Sequence, residues 1–149
     1  MPISEVCNRE VVVIQRDTTI AEAAKLMRQH HVGDVLVVEE RGGMRVPLGI
    51  VTDRDLVVEI MAPELDPAVI TVGDIMLPEL VTVKEHAGLF EAIQYMRAKG
   101  VRRLPVVTDS GGLVGILTLD DLLELLAEEL LALAKLVKLE QKKETMNRH

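Results

Sequence analysis

The chain has 149 residues, 48% of them apolar, enough for one compact domain or two small ones sharing a core. A formal net charge of −7 excludes the broad basic surface that non-specific nucleic-acid affinity demands, and Phe90 and Tyr95, with no Trp, make no platform for base stacking. The lone Cys7 cannot close an internal disulfide, the start lacks the basic-then-apolar pattern of a signal peptide, and no apolar run nears the roughly 20 residues of a membrane span. The expectation is a reduced, cytoplasmic protein without nucleic-acid or membrane partners.

Residues 11–14, Val11-Val12-Val13-Ile14, are β-branched and predict a strand. Ile20, Ala23, Ala24 and Met27 then recur at helical spacing. Thr18 or Thr19 is placed to cap that helix, Glu22 sits near the positive end of its dipole, and His31 to Gly33 ends it. Apolar runs at 35–38 and 47–51 flank Gly42-Gly43, a hairpin signal, and a second helix follows from Arg54. Residues 65–76 are short and partly polar and read as a linker too tight for a free hinge; from Leu80 the same order of elements begins again.

Shifted by 69 residues, the chain aligns Glu22-Ala23 with Glu91-Ala92, Met27 with Met96, Val32 with Val101, and Val37-Val38 with Val106-Val107. Past the Gly-Gly turns the first copy holds three more residues. The shift falls to 66, aligning Gly49, Ile50, Thr52, Asp55 and Leu56 with Gly115, Ile116, Thr118, Asp121 and Leu122. Two copies of so long a period make a paired domain, since a solenoid needs at least three short repeats. The fold class expected is α/β, built from two β-α-β-β-α repeats at 6–64 and 77–130, followed by a C-terminal helix extension and tail at 131–149. The last helix, predicted over 120–143, carries Leu122, Leu123, Leu126, Leu130, Leu133 and Val137 as an apolar stripe, for its own domain or for a dimer contact.

Each copy also repeats glycine, two aliphatics, threonine, two spacers and aspartate: Gly49 to Asp55 and Gly115 to Asp121. Two readings of this pattern stand side by side. Thr52 and Thr118 cap the helices they precede, with the aspartates favouring the helix dipole. Alternatively the hydroxyl and carboxylate face one cleft, where a carboxylate accepts both hydroxyls of a ribose.

These duplicated motifs resemble the tandem cystathionine β-synthase (CBS) domain pair, or Bateman module, over nearly everything from Val6 to Glu129. The resemblance implies two halves packed through their sheets about a pseudo-two-fold axis. Their two clefts take AMP, ADP, ATP, NAD or S-adenosylmethionine, each drawing its Thr and Asp from one copy and its base-contacting wall from the other. Carried over, the first cleft combines Thr52 and Asp55 with a strand at Leu80 to Thr82 and with Val101, Arg102, Arg103, Leu104 and Pro105. The second combines Thr118 and Asp121 with Val11 to Val13, Thr18, Val32, Gly33 and Asp34. A homodimer stacked through helical faces near Ala23 and Ala92, or through the C-terminal leucines, is also implied.

Charge separates the two clefts. Arg54, Arg102 and Arg103 suit the first to a phosphorylated adenosine, because arginine–phosphate hydrogen bonds are charge-assisted. Gly33, Asp34 and Asp120 stand in their places in the second, which is expected to be emptier, weaker or of adenosyl type.

Metal binding is not expected. His30 and His31 are helix neighbours pointing apart, and His86, His149 and Cys7 are scattered. No serine elbow, matched Cys–His pair or Walker loop is present, so the chain reads as a non-enzyme whose only small-molecule partner is the adenosyl ligand. The expected function is a regulatory sensor acting on another protein, which the sequence does not name; the alternative is a ligand-free scaffold dimer.

Overall fold

The computed structural model describes residues 1–77 and 79–147; Pro78, beside the expected linker, and Arg148 and His149 of the tail lie outside the described residues. The first repeat is β1 (Val13–Ile14), α1 (Ile20–His30), β2 (Asp34–Arg41), β3 (Met44–Thr52) and α2 (Asp53–Leu56), which widens into a π-type turn at Val57–Met61. A short helix, α3 (Val72–Ile75), precedes the second repeat: β4 (Val83–Lys84), α4 (Leu89–Lys99), β5 (Arg103–Val107), β6 (Leu113–Thr118) and α5 (Leu119–Asn147). Each repeat builds a three-stranded mixed sheet, β1-β2-β3 and β4-β5-β6, with a parallel first pair and an antiparallel hairpin.

The local signals act as their chemistry requires. Thr19 caps α1 by accepting the Glu22 N–H, whereas the Thr18 hydroxyl accepts from the Gln15 N–H. His31, at φ 53°, and its repeat counterpart Gly100, at φ 66°, end α1 and α4 in the left-handed region. Gly42 and Gly43, both at positive φ, turn the β2–β3 hairpin as a two-residue loop.

One expected strand moves. Leu80 to Thr82 precede β4, and Val11 and Val12 of the strand expected over 11–14 likewise precede β1; the extra residue lost in the second repeat is Thr82, because Leu36 donates its N–H to the Val12 carbonyl in the first repeat, while Pro105 stands at the matching place in the second. Proline has no N–H to donate, so the second parallel ladder starts one residue later.

The segments before each repeat are exchanged. Ile3 is fully buried in the core of the second repeat, and the N-terminal chain is tied there by Ile3 N–H to the Ala87 carbonyl and by paired bonds between Asn8 and Ile116. Val72, 69 residues on, is fully buried in the core of the first repeat, held by Val72 N–H to the Thr18 carbonyl and Ile20 N–H to the Ile70 carbonyl. The stretch 65–76, read as a linker from its polar residues, thus also completes a core. Gly115 makes room for this exchange: the Asn8 carbonyl passes 2.5 Å from where a Cβ would stand.

Both cores are aliphatic, as the scarcity of aromatics demands: Val35, Val37 and Val51 face Ala23 and Met27 in one, Leu104, Val106 and Leu117 face Ala92 and Met96 in the other. Leu36 and Val38, alternating with those residues along β2, are buried too, so β2 is covered on both faces. The sheets meet through β3 and β6. Ile3→Ala is expected to lower stability by about 2–4 kcal/mol in urea unfolding, the cost of a large-to-small change in a closed core. A change under about 0.5 kcal/mol would mean that the N-terminal segment is not part of the folded unit.

Candidate functional site

Thr52 and Thr118 end β3 and β6, the two strands that meet between the repeats, and so bring both Thr–Asp pairs to the seam. The Thr52 hydroxyl accepts the Asp55 N–H at 3.1 Å, and Asp55 Oδ2 accepts the Thr52 N–H at 2.9 Å, a closed capping box. The Thr118 hydroxyl accepts the Asp121 N–H at 3.1 Å, but among the described residues the Asp121 carboxylate takes no return bond. Capping uses only part of either carboxylate, which has about four lone-pair sites.

The loops that precede β2 and β5 are latched to the following helices by the same bond in each repeat. Asp53 N–H donates to the Gly33 carbonyl at 2.9 Å, and Leu119 N–H donates to the Arg102 carbonyl at 2.8 Å. At the next residue the repeats join. Arg103 Nε donates to Asp34 Oδ2 at 2.6 Å, with the two side chains 35% and 23% exposed. These residues are 69 apart and are each other's repeat counterparts, so the bond spans the pseudo-two-fold relation.

This geometry mixes residues that the sequence assigned to different clefts. Arg103, expected with Thr52 and Asp55, holds Asp34, expected with Thr118 and Asp121. Arg102 lies 3.5 Å from Asp120 in an exposed pair. A cavity of about 60 Å³ is lined by Asp34, Arg102, Arg103, Thr118, Leu119 and Asp120. That is room for a few waters, far below the roughly 300–1,000 Å³ of small-molecule pockets. Neither seam arginine is an unengaged phosphate donor in this state; exposed Arg54 has no ion-pair partner among the described residues.

A larger cavity, about 590 Å³, gathers Val11, Val13 and Val32 with Asn8, Arg9 and His30. Three expected wall residues therefore meet, but Thr18 does not join them: its carbonyl holds Val72 at the junction with α3. Thr82 lines a separate cavity of about 470 Å³ with Lys84, Gln94 and Tyr95. Val101 packs against the second core and Pro105 is fully buried, while Leu80 is half-buried outside that cavity. Asn8 and Arg9 escaped the sequence reading, which weighed His30 only as a metal ligand. Their counterparts at a shift of 69 are Leu77, Pro78 and Lys99, so repeat comparison carries no signal for Asn8 or Arg9.

Burial pushes the Cys7 thiol up, outweighing the pull of Arg9, so at neutral pH it is not a thiolate nucleophile. Among the described residues no cluster of three or more His, Cys, Asp or Glu could hold a metal ion, and no helix is long and apolar enough to cross a membrane.

The family model described as the CBS domain matches residues 3–62 and again 72–128. The chain belongs to the CBS-domain family. The two matches begin at Ile3 and Val72, the pair exchanged between the repeats. This CBS pair is 38% identical over 122 residues to an uncharacterized protein of Methanopyrus kandleri, across 82% of this chain and 61% of that protein, so it spans less than two thirds of that relative. It is also 38% identical over 120 residues to the CBS domain-containing protein YhcV of Bacillus subtilis, across 80% of this chain and 81% of that one. A solved CBS domain protein from Pyrobaculum aerophilum complexed with AMP matches with a TM-score of 0.70 at 26% identity, over 81% of this chain and 89% of that chain.

The Arg103–Asp34 bond should couple the repeats measurably. A double-mutant cycle of Arg103→Ala and Asp34→Ala, read by urea unfolding, is expected to give a coupling of about 1 kcal/mol, modest because the pair is partly exposed. Zero coupling would mean that apolar contact alone holds the seam.

Proposed function

We propose that this CBS pair is a non-catalytic regulatory module that binds an adenosyl ligand (AMP, ADP, ATP, NAD or S-adenosylmethionine) between its repeats and transmits occupancy to another protein. The observation that carries this reading is the duplicated Thr–Asp pair, at the ends of the two strands that meet between the sheets. The similarity to a CBS protein complexed with AMP supports it.

In this reading Asp55 and Asp121 accept ribose hydroxyls, and aliphatic walls such as Val11, Val13 and Val32 cover the base. A phosphate recruits Arg54, Arg102 and Arg103, replacing Asp34 as the partner of Arg103. Ligand arrival therefore acts on the bond that joins the repeats, which supplies the differential affinity that any population shift requires. A phosphorylated ligand prefers the cleft with the arginines, and the cleft of Thr118 and Asp121 takes a less charged one. The module works as a homodimer in a reducing compartment, the cytoplasm, where the lone Cys7 stays a thiol.

The closed capping box at Thr52 and the 60 Å³ cavity favour a second reading, a ligand-free scaffold. A thermal-shift and calorimetric series with AMP, ADP, ATP, NAD and S-adenosylmethionine, with GTP as control, separates the two. A ligand at 100 times its Kd adds about 2.7 kcal/mol of stability. The expected result is an adenosyl-selective rise in Tm, with the rise given by AMP lost in Asp55→Ala, and with Arg103→Ala weakening AMP about tenfold and leaving adenosine unchanged. A flat response to every ligand establishes the scaffold reading instead.

A further inference from the structure

The helix α5 runs on for 29 residues, about 40 Å, and only its first turns pack on the second repeat: Leu122 is buried, Leu125 and Leu126 are half-buried. Beyond them it stands clear of the CBS pair. Leu123, Leu130, Leu133 and Val137 are each more than half exposed, and with Leu126 they step by three and four residues. That is the seam of a two-stranded coiled coil, and an apolar stripe of this length is more than a monomeric surface ordinarily leaves in water.

Charge says what covers it. From Leu119 to Leu130 the helix carries Asp120, Asp121, Glu124, Glu128 and Glu129 with no Lys or Arg, a net −5. From 131 to 147 it carries Lys135, Lys138, Lys142 and Lys143 against two glutamates, a net +2. Two such helices side by side and parallel set −5 against −5, about 10 Å apart, close to the Debye length of about 8 Å at physiological salt, so that the repulsion is weakened by salt and not abolished. Antiparallel, each acidic half lies along a basic half.

We propose that α5 pairs antiparallel with α5 of a second copy of this chain, a contact separate from nucleotide binding and from the helical faces near Ala23 and Ala92. The register that aligns the seam places Leu130 against Leu133 of the partner chain and Leu126 against its Val137. Ala127 and Ala134 then face each other across one flank, where small side chains let the helices approach closely. The helix dipole favours the same charge polarity within one chain, but it gives no reason for the exposed leucine seam.

Nitroxide labels at Ala132→Cys or Lys142→Cys, each in a Cys7→Ala background of the full chain, read the arrangement directly. The pairing predicts labels at position 132 within about 20 Å of each other and labels at position 142 about 30 Å apart, from a rise of 1.5 Å per residue over the 21 residues between 142 and its facing position. The Leu130→Lys, Leu133→Lys double variant is expected to raise the dimer Kd at least tenfold and to erase the short distance, while the Tm of the CBS pair holds. Short distances at both positions would mean a parallel pair and overturn the proposal. Long distances at both, or a monomer with no intermolecular distance, would overturn it as well and leave the stripe to a different partner.

Discussion

Neither repeat can close its own core. The first lacks an aliphatic residue that Val72 supplies from the segment leading into the second, and the second lacks one that Ile3 supplies from the segment leading into the first. Each fully buried side chain removes apolar surface worth about 1.5–3 kcal/mol from water. The duplication is therefore mutual in its packing: each hydrophobic cluster includes a side chain from the segment that leads into the other repeat.

That interdependence puts the seam between the sheets under constraint. Residues near a pseudo-two-fold axis meet their own counterparts, and identical charges there would repel. In this chain the two positions have diverged to Asp34 and Arg103, and the resulting 2.6 Å bond joins the halves where a symmetric dimer of like residues would push them apart. The same divergence places Arg102 beside Asp120. Arg102 and Arg103 are thus both engaged by carboxylates at the seam, so the seam is a paired-charge surface and not an empty basic pocket.

The Thr–Asp pairs cap their helices without using all their acceptor sites. Thr52 and Asp55 close a capping box, yet a carboxylate so used retains acceptor capacity for ribose hydroxyls. Asp121, without the return bond, has more of that capacity in reserve. At Pro105 a backbone demand moves a strand. By removing one N–H from β5 it shifts the start of the parallel ladder by one residue, so that Thr82, the counterpart of Val13, lies outside the strand.

The sequence by itself determined the repeat, the order of elements within each copy and the aliphatic make-up of the cores, and it narrowed the cap of α1 to Thr18 or Thr19, because these follow from local periodicity and turn chemistry acting within each copy; it did not show α3, whose residues read as linker. It also determined which pairs of polar residues recur and hence where to look for a site. Only the tertiary structure decided that the segments before the repeats are exchanged, that Arg103 is held by Asp34, and that Asn8, Arg9 and His30 line the largest cavity described. Those outcomes depend on residues far apart in the chain meeting at a seam between two sheets. No local pattern encodes which charges will face each other there, and comparing one repeat with the other hides it, since the decisive contacts are those in which the two copies differ.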